Sequence, residues 1–112
     1  MTDISWDDFQ KVELRAGTII KADLFQQARC PAYILHIDFG DTIGIKKSSA
    51  QITDYYDPES LIGKQVMAVT NFPPKQIGPI MSECLVTGFF KEGTRVALAT
   101  IDMDVPNGTR LV

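Results

Sequence analysis

Apolar and polar residues alternate along most of this chain, which is the two-residue period of β-strands. The longest alternating stretch runs from Val12 to Leu24 and separates apolar from charged positions. Gly17 interrupts it at a point where a sharp bend or a bulge would let one strand serve two sheets. The apolar face of this predicted strand comprises Val12, Leu14, Ala16, Ile20, Ala22 and Leu24.

Further strands are predicted at 32–39, 42–47, 65–72, 84–90 and 95–101. The second predicted strand places Tyr33, Leu35, Ile37 and Phe39 on one face, and the third places Ile43 and Ile45 inward. Residues 65–72 are apolar on both faces, which is typical of a strand covered on both sides. Pro73-Pro74 and Gly78-Pro79 break the chain after it, because proline cannot donate to a strand ladder.

Two short helices are predicted. At the N-terminus, Ser5 can cap a helix over residues 5–10, with Asp8 three residues on as in a capping box and Ile4 and Phe9 as a hydrophobic staple. The second follows the turn at 57–59, runs through Leu61 and is ended by Gly63.

Together these elements predict one all-β domain over residues 1–112, with a C-terminal extension at 102–112. The count is about five strands, of which the first is long and bent at a glycine, with a short helix between the third and fourth. This arrangement favours a five-stranded OB-fold Greek-key barrel with short helices. An SH3-like barrel is the structural alternative.

Charge and composition narrow the class of protein. Eleven basic against fourteen acidic residues give a net charge of −3, which argues against bulk electrostatic coating of nucleic acid. Three acid-free windows nevertheless hold basic residues, and they would form one basic face if they met in space. These windows are 14–22, 42–53 and 60–82.

Location and metal binding are predicted from what the chain lacks. No apolar run is long enough to span a bilayer, and Asp3, Asp7 and Asp8 stand where a signal peptide needs basic and apolar residues. We therefore expect a cytoplasmic protein without membrane insertion. Cys30 and Cys84 are expected to be free thiols, with no metal site.

No catalytic residue or cofactor is predicted. The single histidine, His36, lies on the polar face of a strand with no sign of a nucleophile beside it. Carboxylates at 54, 57 and 59 surround a turn, where solvated and capping roles are common. Lys46-Lys47-Ser48-Ser49 lacks the glycines of a phosphate-binding loop. The sequence thus favours a binding protein over an enzyme.

Several ordered motifs resemble the tRNA-binding domain family, which occurs as an appendage of methionyl-tRNA synthetases and as free-standing proteins. The Asn-Phe-Pro-Pro, Ser-Ser-Ala-Gln-Ile-Thr and Val-Pro-Asn-Gly segments look like its CsaA branch of export-related chaperones. The resemblance covers Phe9 to the C-terminus and implies an OB-fold and a homodimer. The motifs are 9–17 (FQKVELRAG), 46–53 (KKSSAQIT), 63–66 (GKQV), 71–77 (NFPPKQI), 82–85 (SECL) and 105–108 (VPNG).

Two positions depart from the synthetase-appended members. Residues 28–33 (ARCPAY) replace a His-Pro-x-Ala-Asp-Lys type segment, which moves the resemblance toward the CsaA branch. Cys84 stands where those members often have glycine, although a small side chain remains.

Both activities of the family are compatible with the residues present. For tRNA, Arg15, Lys46, Lys47 and Lys75 are candidates to contact phosphates, and Asn71 and Ser82 to hydrogen-bond sugar or base edges. The alternative for the lysines is a solvated surface charge, and for Ser82 a cap or turn serine.

For polypeptides, an apolar segment broken by prolines and glycine is the candidate binding groove. It cannot be one long strand, and its alternative role is a dimer interface or a cap on the barrel. The two readings coexist if two subunits share the groove. The candidates are Phe72, Pro73, Pro74, Ile77, Ile80 and Met81.

The resemblance therefore implies a chaperone that binds unfolded or pre-secretory polypeptides and also tRNA, with the export machinery as a further partner. The alternatives are a tRNA-binding protein without chaperone activity and a purely structural interaction module.

Overall fold

Five antiparallel strands curl into a nearly closed barrel in the computed structural model, which describes residues 1–112 and is consistent with the predicted OB-fold. The sheet order is β3-β2-β1-β4-β7, and two hairpins, β5-β6 and β8-β9, stand outside it. The elements are α1 (Trp6–Gln10), β1 (Leu14–Leu24), β2 (Tyr33–Asp38), α2 (Gly40–Ile43), β3 (Ile45–Ala50), α3 (Pro58–Leu61), β4 (Gln65–Val69), β5 (Lys75–Ile77), β6 (Ile80–Ser82), β7 (Leu85–Val86), β8 (Gly88–Glu92) and β9 (Arg95–Leu98).

The long first strand pairs with two strands of one sheet, where the sequence predicted that it serves two sheets. Residues 14–18 pair with β4, and residues 18–24 pair with β2. The ladder irregularity lies between Ile19 and Lys21, after the glycine. Because this bulge shifts the alternation by one residue, Ile19 is fully buried and Ile20 is 43% exposed. The prediction that Ile20 faces inward was therefore wrong.

The third strand begins later than predicted. Gly40 and Gly44 have φ values of +87° and +84°, and the chain between them forms the helical turn α2. The strand therefore starts at Ile45, which pairs with Asp38 and is 57% exposed. Ser48 and Ala50 occupy the inward positions instead, opposite Leu35 and Tyr33.

The later strands are shorter than their sequence patterns. β4 ends at Val69, so that Phe72 lies outside it. The predicted strand 84–90 is split at Thr87, whose amide and hydroxyl both donate to the Met67 carbonyl. β7 stays in the barrel, whereas β8 leaves it to pair with β9.

Both predicted helices are present. Ser5 accepts from the Asp8 amide at 3.0 Å while Asp8 accepts from the Ser5 amide, which completes the capping box. Asp57 caps α3, and Gly63 follows it with φ +88°. The ring of Phe9 lies 5.6 Å from that of Trp6, and Ile4 stays largely exposed.

A cluster of thirteen buried residues fills the barrel, centred on Ile19, Leu35, Ile37, Val66 and Ala68. The C-terminal residues are hydrogen-bonded to the same barrel through β1. No helix is long and apolar enough to cross a membrane.

Candidate ligand-binding cleft

Two adjoining cavities lie along the β5-β6 hairpin, and we call them together the hairpin cleft. The first, of about 290 Å³, is lined by Ser49, Phe72, Pro73, Lys75, Ile77, Ser82, Cys84 and Leu85. The second, of about 700 Å³, is lined by residues 27–30, Ala32, Ser49, Gln51 and residues 75–78. Ser49, Lys75 and Ile77 line both cavities, so the two share a wall.

The local sequence explains why a short hairpin forms here. Gly78 adopts φ +54°, which glycine tolerates, and the Gly78-Pro79 turn returns the chain so that Lys75 pairs with Ser82 and Ile77 with Ile80. Alternation places these four residues on one face of the hairpin and Gln76 and Met81 on the other.

Hydrogen bonds fix the hairpin against the barrel. The Ser49 amide donates to the Ser82 hydroxyl at 3.1 Å. The Glu83 amide donates to the Lys47 carbonyl at 2.8 Å, and the Lys47 amide donates to the Glu83 carboxylate at 3.0 Å. β3 therefore holds one wall of the cleft in place.

The two ends of the cleft differ in chemistry. Phe72 and Leu85, 55% and 50% exposed, make the smaller cavity predominantly apolar together with Pro73. The larger cavity is lined by amide side chains and by the cations Arg29 and Lys75. No aspartate or glutamate lines either cavity, although the chain carries a net charge of −3. The cleft can therefore receive an apolar group at one end and an anionic or hydrogen-bonding group at the other.

Cys84 forms an unreactive part of the wall. Burial raises the pKa of its thiol to about 12, against the nearby positive charge of Lys46. Its sulfur lies 3.8 Å from the Lys47 carbonyl oxygen. At neutral pH this thiol stays protonated, so it contributes packing and no nucleophile.

Of the predicted RNA-binding residues, Lys75 and Ser82 lie together in the cleft as a cross-strand pair. Lys46 and Lys47 do not share a face, because they are consecutive residues of β3. Lys46 pairs with the buried Ile37, whereas Lys47 pairs with His36 on the outer face of the barrel.

Arg15 and Asn71 are engaged elsewhere. The Arg15 guanidinium donates to the Gly108 carbonyl at 2.8 Å and to the Glu13 carboxylate at 2.9 Å, and this hydrogen bond lowers the pKa of Glu13. The Asn71 amide donates to the Lys11 carbonyl at 2.7 Å and accepts from the Glu13 amide at 3.0 Å. Both side chains hold the segment around Glu13.

Of the predicted peptide-binding residues, Phe72, Pro73 and Ile77 line the cleft. Ile80 is half-buried on the same hairpin face as Ile77. Pro74 is exposed, and Met81 is 39% exposed on the opposite face of the hairpin. The segment is thus exposed in part and contains only three-residue strands, as the sequence predicted.

His36 lies between Lys21 of β1 and Lys47 of β3 on the outer face. Burial lowers its pKa, and the two lysines lower it further, while Asp23 and Glu83 act in the opposite direction. Its Nδ1 atom is buried and makes no hydrogen bond within the chain. The ring is therefore neutral at physiological pH.

Sequence reasoning missed the far wall of the cleft. Gln27 and Arg29 come from the loop between β1 and β2, and Gln51 follows β3. A signal was present, because residues 28–33 are where the chain departs from synthetase-appended proteins, and Gln51 lies within the 46–53 motif. Nothing local in the sequence shows that this loop faces the hairpin.

Comparison with known proteins identifies the family. The family described as "Putative tRNA binding domain" matches residues 14–110. The crystal structure of chaperone CsaA from Bacillus anthracis is 47% identical, with a TM-score of 0.92 over 99% of this chain and 100% of that one. CsaA chaperone protein from Picrophilus torridus is 46% identical, with a TM-score of 0.90 over 98% of this chain and 100% of that one.

A methionine–tRNA ligase of Thermococcus kodakarensis is 32% identical over 108 residues, which are 96% of this chain and 14% of the ligase. This chain therefore corresponds to a small part of that enzyme. The match to the family over nearly the whole chain and the similarity to two solved chaperones over full length lead to one conclusion: the chain belongs to the tRNA-binding domain family, and it is a homologue of the CsaA chaperones.

Proposed function

We propose that this protein is a non-catalytic chaperone of the CsaA type, which acts as a homodimer in the cytoplasm. It binds extended segments of unfolded or pre-secretory polypeptides in the hairpin cleft, binds tRNA as well, and contacts the export machinery through the clients it carries. The observation that carries this proposal is the cleft itself, which is apolar at one end, cationic at the other and lined by no carboxylate.

Polypeptide binding is supported by the apolar end of the cleft. The Phe72 ring is 55% exposed beside Pro73 and Leu85, and exposed apolar surface of this kind gains free energy when an apolar side chain covers it. Prolines at 73 and 74 keep this wall from joining the strand that precedes it. An extended client segment can therefore lie across Phe72 without competing with the barrel for backbone hydrogen bonds.

tRNA binding is supported by the cationic end and by the relatives. Lys75 and Arg29 can contact phosphates, and Ser82 can hydrogen-bond a sugar or base edge. Lys47 adds a third positive charge on the adjoining face of β3. The absence of carboxylates from the cleft lining spares an anionic ligand the repulsion it meets on the rest of an acidic protein.

We expect ligands to leave the cleft chemically unchanged, because neither Cys84 nor Ser82 is activated as a nucleophile. The Cys84 thiol stays protonated because its pKa is about 12. The Ser82 hydroxyl accepts a hydrogen bond from the Ser49 backbone amide and has no histidine among the residues that line the cleft.

Suppression of client aggregation tests the chaperone activity. Purified protein should keep a chemically unfolded client in solution, and Phe72→Ala should weaken binding of a fluorescent apolar peptide by about tenfold, because a buried aromatic contact is lost. Ile45→Ala is the matched control, since Ile45 is equally exposed, at 57%, but lies outside the cleft. Unchanged peptide affinity in Phe72→Ala would contradict the proposed site.

Salt dependence tests the tRNA activity. The logarithm of the tRNA affinity should fall with the logarithm of salt concentration, with a slope of roughly −0.7 to −0.9 per phosphate neutralised. Lys75→Glu should weaken tRNA binding, whereas Lys91→Glu, the same charge change at an exposed position outside the cleft, should leave it close to wild type. A tRNA affinity that does not change with salt concentration would contradict the proposed binding of tRNA through phosphate contacts.

The alternative function is tRNA binding without chaperone activity, and the methionine–tRNA ligase relative favours it. The two functions differ in one measurement. Peptide binding through apolar contacts should survive salt that abolishes RNA binding, because screening acts on charges and not on apolar burial. A protein that binds tRNA and fails to protect any unfolded client would have the alternative function.

The homodimer is supported by apolar surface that the single chain leaves uncovered. Phe89 and Phe90 of β8 are 70% and 74% exposed on opposite faces of the hairpin, and the exposure of aromatic rings to water is costly. Light scattering should give twice the mass of one chain, and Phe89→Ser with Phe90→Ser should halve it. A monomeric wild-type protein would refute the dimer. A double variant that is still dimeric would show that the interface does not depend on Phe89 and Phe90.

A further inference from the structure

Lys75 and Ser82, predicted for RNA, lie in the same cleft as the residues Phe72, Pro73 and Ile77, predicted for polypeptide. We propose that tRNA and unfolded polypeptide exclude each other there. Under this proposal RNA regulates client binding, since a chain that holds tRNA cannot hold a client. The inference rests on the proposed function, because it requires both ligands to bind.

The shared position of Lys75 is the first argument. Lys75 lines both the smaller and the larger cavity, as do Ile77 and Ser49. It forms a cross-strand pair with Ser82 and shares its hairpin face with Ile77. A phosphate on the Lys75 ammonium therefore stands directly over the wall against which a client side chain would pack.

The size of the cleft is the second argument. β5 and β6 contain three residues each, so the hairpin wall is only about 10 Å long. Both cavities, of about 290 and 700 Å³, are lined by Lys75 and Ile77 of this wall, so a segment that lies along the wall covers both. There is room along this wall for one extended segment, and a second ligand has nowhere to lie beside it.

The engagement of Arg15 and Asn71 is the third argument. Arg15 and Asn71 are hydrogen-bonded to the backbone away from the cleft, so they do not offer RNA a separate site with Lys75. Arg29, on the opposite wall, instead provides a second cation facing the same space. An RNA strand would place a phosphate between Arg29 and Lys75 and stack an unpaired base on Phe72, which is the surface offered to clients.

Competition titration tests the proposal. A fluorescein-labelled apolar peptide bound to the protein should be released by unlabelled tRNA, and labelled tRNA should be released by unlabelled peptide. For full exclusion the apparent dissociation constant rises by the factor one plus the competitor concentration over its own dissociation constant, or about elevenfold at ten times that constant. When every chain is saturated with tRNA, no labelled peptide should remain bound.

Variants separate one shared site from two coupled sites. Phe72→Ala should weaken peptide and tRNA alike, by about tenfold each, because both ligands contact the ring. Arg29→Ala and Lys75→Ala should weaken tRNA and lower its power to displace peptide in the same proportion, with peptide affinity changed much less. Lys91→Ala is the control that should alter neither ligand.

The outcomes distinguish the inference from the proposed function. Failure of either ligand to bind alone would defeat the proposed function and the inference with it. Binding of both ligands, with labelled peptide that stays bound when every chain is saturated with tRNA, would leave the function standing and overturn the exclusion. Loss of peptide affinity in Phe72→Ala with unchanged tRNA affinity would also overturn it, since the ligands would then contact different surfaces.

Discussion

Gly17 lies beside the position where β1 changes its partner strand from β4 to β2. Its lack of a side chain lets other residues pack closely against the strand there. A Cβ atom at this position would lie 2.6 Å from Cγ2 of Ile37 and 2.6 Å from Cε1 of Phe39, both of which are buried. The glycine therefore lets two core side chains approach the backbone of the strand that closes the barrel.

Gly17→Ala should destabilise the protein by about 3 kcal/mol, because overpacking a core displaces side chains that have no free space. Gly93→Ala is the control, since no atom lies within 4 Å of its added Cβ and only its φ of +57° is strained, which costs about 1 kcal/mol. Urea unfolding of both variants measures the difference. Equal destabilisation would show that the close approach at Gly17 is not what matters.

His36 makes the stability depend on pH. Its folded pKa lies below the ordinary value of 6.5, chiefly through burial, so the unfolded chain takes up a proton first as the pH falls. Stability that is present above about pH 6.5 is therefore lost as the pH falls toward the folded pKa. Lys21 and Lys47 act in the same direction, and Asp23 and Glu83 oppose them.

His36→Gln should remove this contribution. The melting temperature of the wild-type protein should fall more between pH 7.5 and pH 5.5 than that of the variant, because the carboxylates common to both proteins cancel in the comparison. Identical pH profiles would mean that the His36 pKa is the same in the folded and unfolded chains.

At the scale of elements, the C-terminal segment works as an additional strand of the barrel. β2 and β4 lie on opposite edges of β1, and the part of β1 that β2 does not reach is paired with this segment instead. The Gly108 amide donates to the Ala16 carbonyl at 2.8 Å, and the Leu111 amide donates to the Leu14 carbonyl at 2.8 Å. The Val-Pro-Asn-Gly motif thus has a structural role, because it brings the C-terminal segment to the edge of β1 that β2 does not cover.

Asn107→Ala should weaken the attachment of the C-terminal segment to β1. The side-chain oxygen of Asn107 accepts from the Thr18 hydroxyl at 2.7 Å and from the Gln65 side-chain amide at 3.1 Å. Its removal leaves the half-buried Thr18 hydroxyl without this acceptor, whereas Gln65 still donates to the Val105 carbonyl. We expect a loss of about 1–3 kcal/mol and faster hydrogen exchange at the Gly108 and Leu111 amides.

Thr109→Ala is the control for this prediction, because its hydroxyl makes an exposed hydrogen bond to Pro106 within the same turn. It should cost clearly less than Asn107→Ala. Equal exchange rates in the two variants would show that Asn107 does not hold the segment.

At the scale of the whole molecule, the two cysteines differ in whether a reagent can reach them in the folded chain. Cys30 is exposed at the edge of the cleft, whereas Cys84 is 6% exposed within the core cluster. The pKa of about 12 at Cys84, against 9.0 ordinarily, lowers its thiolate fraction about a thousandfold at neutral pH.

A thiol reagent should therefore modify one cysteine per chain at once and the second only as the barrel opens. The slow rate should rise with denaturant in step with unfolding followed by circular dichroism. Cys30→Ser should abolish the fast phase and leave the slow phase unchanged. A second fast phase in that variant would mean that the cleft admits the reagent to Cys84 in the folded chain.

The elements could be predicted from the sequence wherever local chemistry decides them. The capping box at Ser5 and Asp8, the helix between Asp57 and Gly63, the long shared first strand and the inward face of Tyr33, Leu35 and Ile37 depend on neighbours within a few residues. The same patterns, with the ordered motifs, were sufficient to predict a five-stranded barrel and its family.

What only the tertiary structure decided depends on residues distant in sequence. The bulge between Ile19 and Lys21 inverted the exposure of Ile20, because register is set jointly by β2 and β4. Arg29 and Lys75 line the same cavity only because the fold brings the loop between β1 and β2 to the β5-β6 hairpin. The alternation of residues along a strand determines which of them share one face of that strand. Which faces lie opposite each other in the folded chain is determined by the curvature and the pairing of the whole sheet.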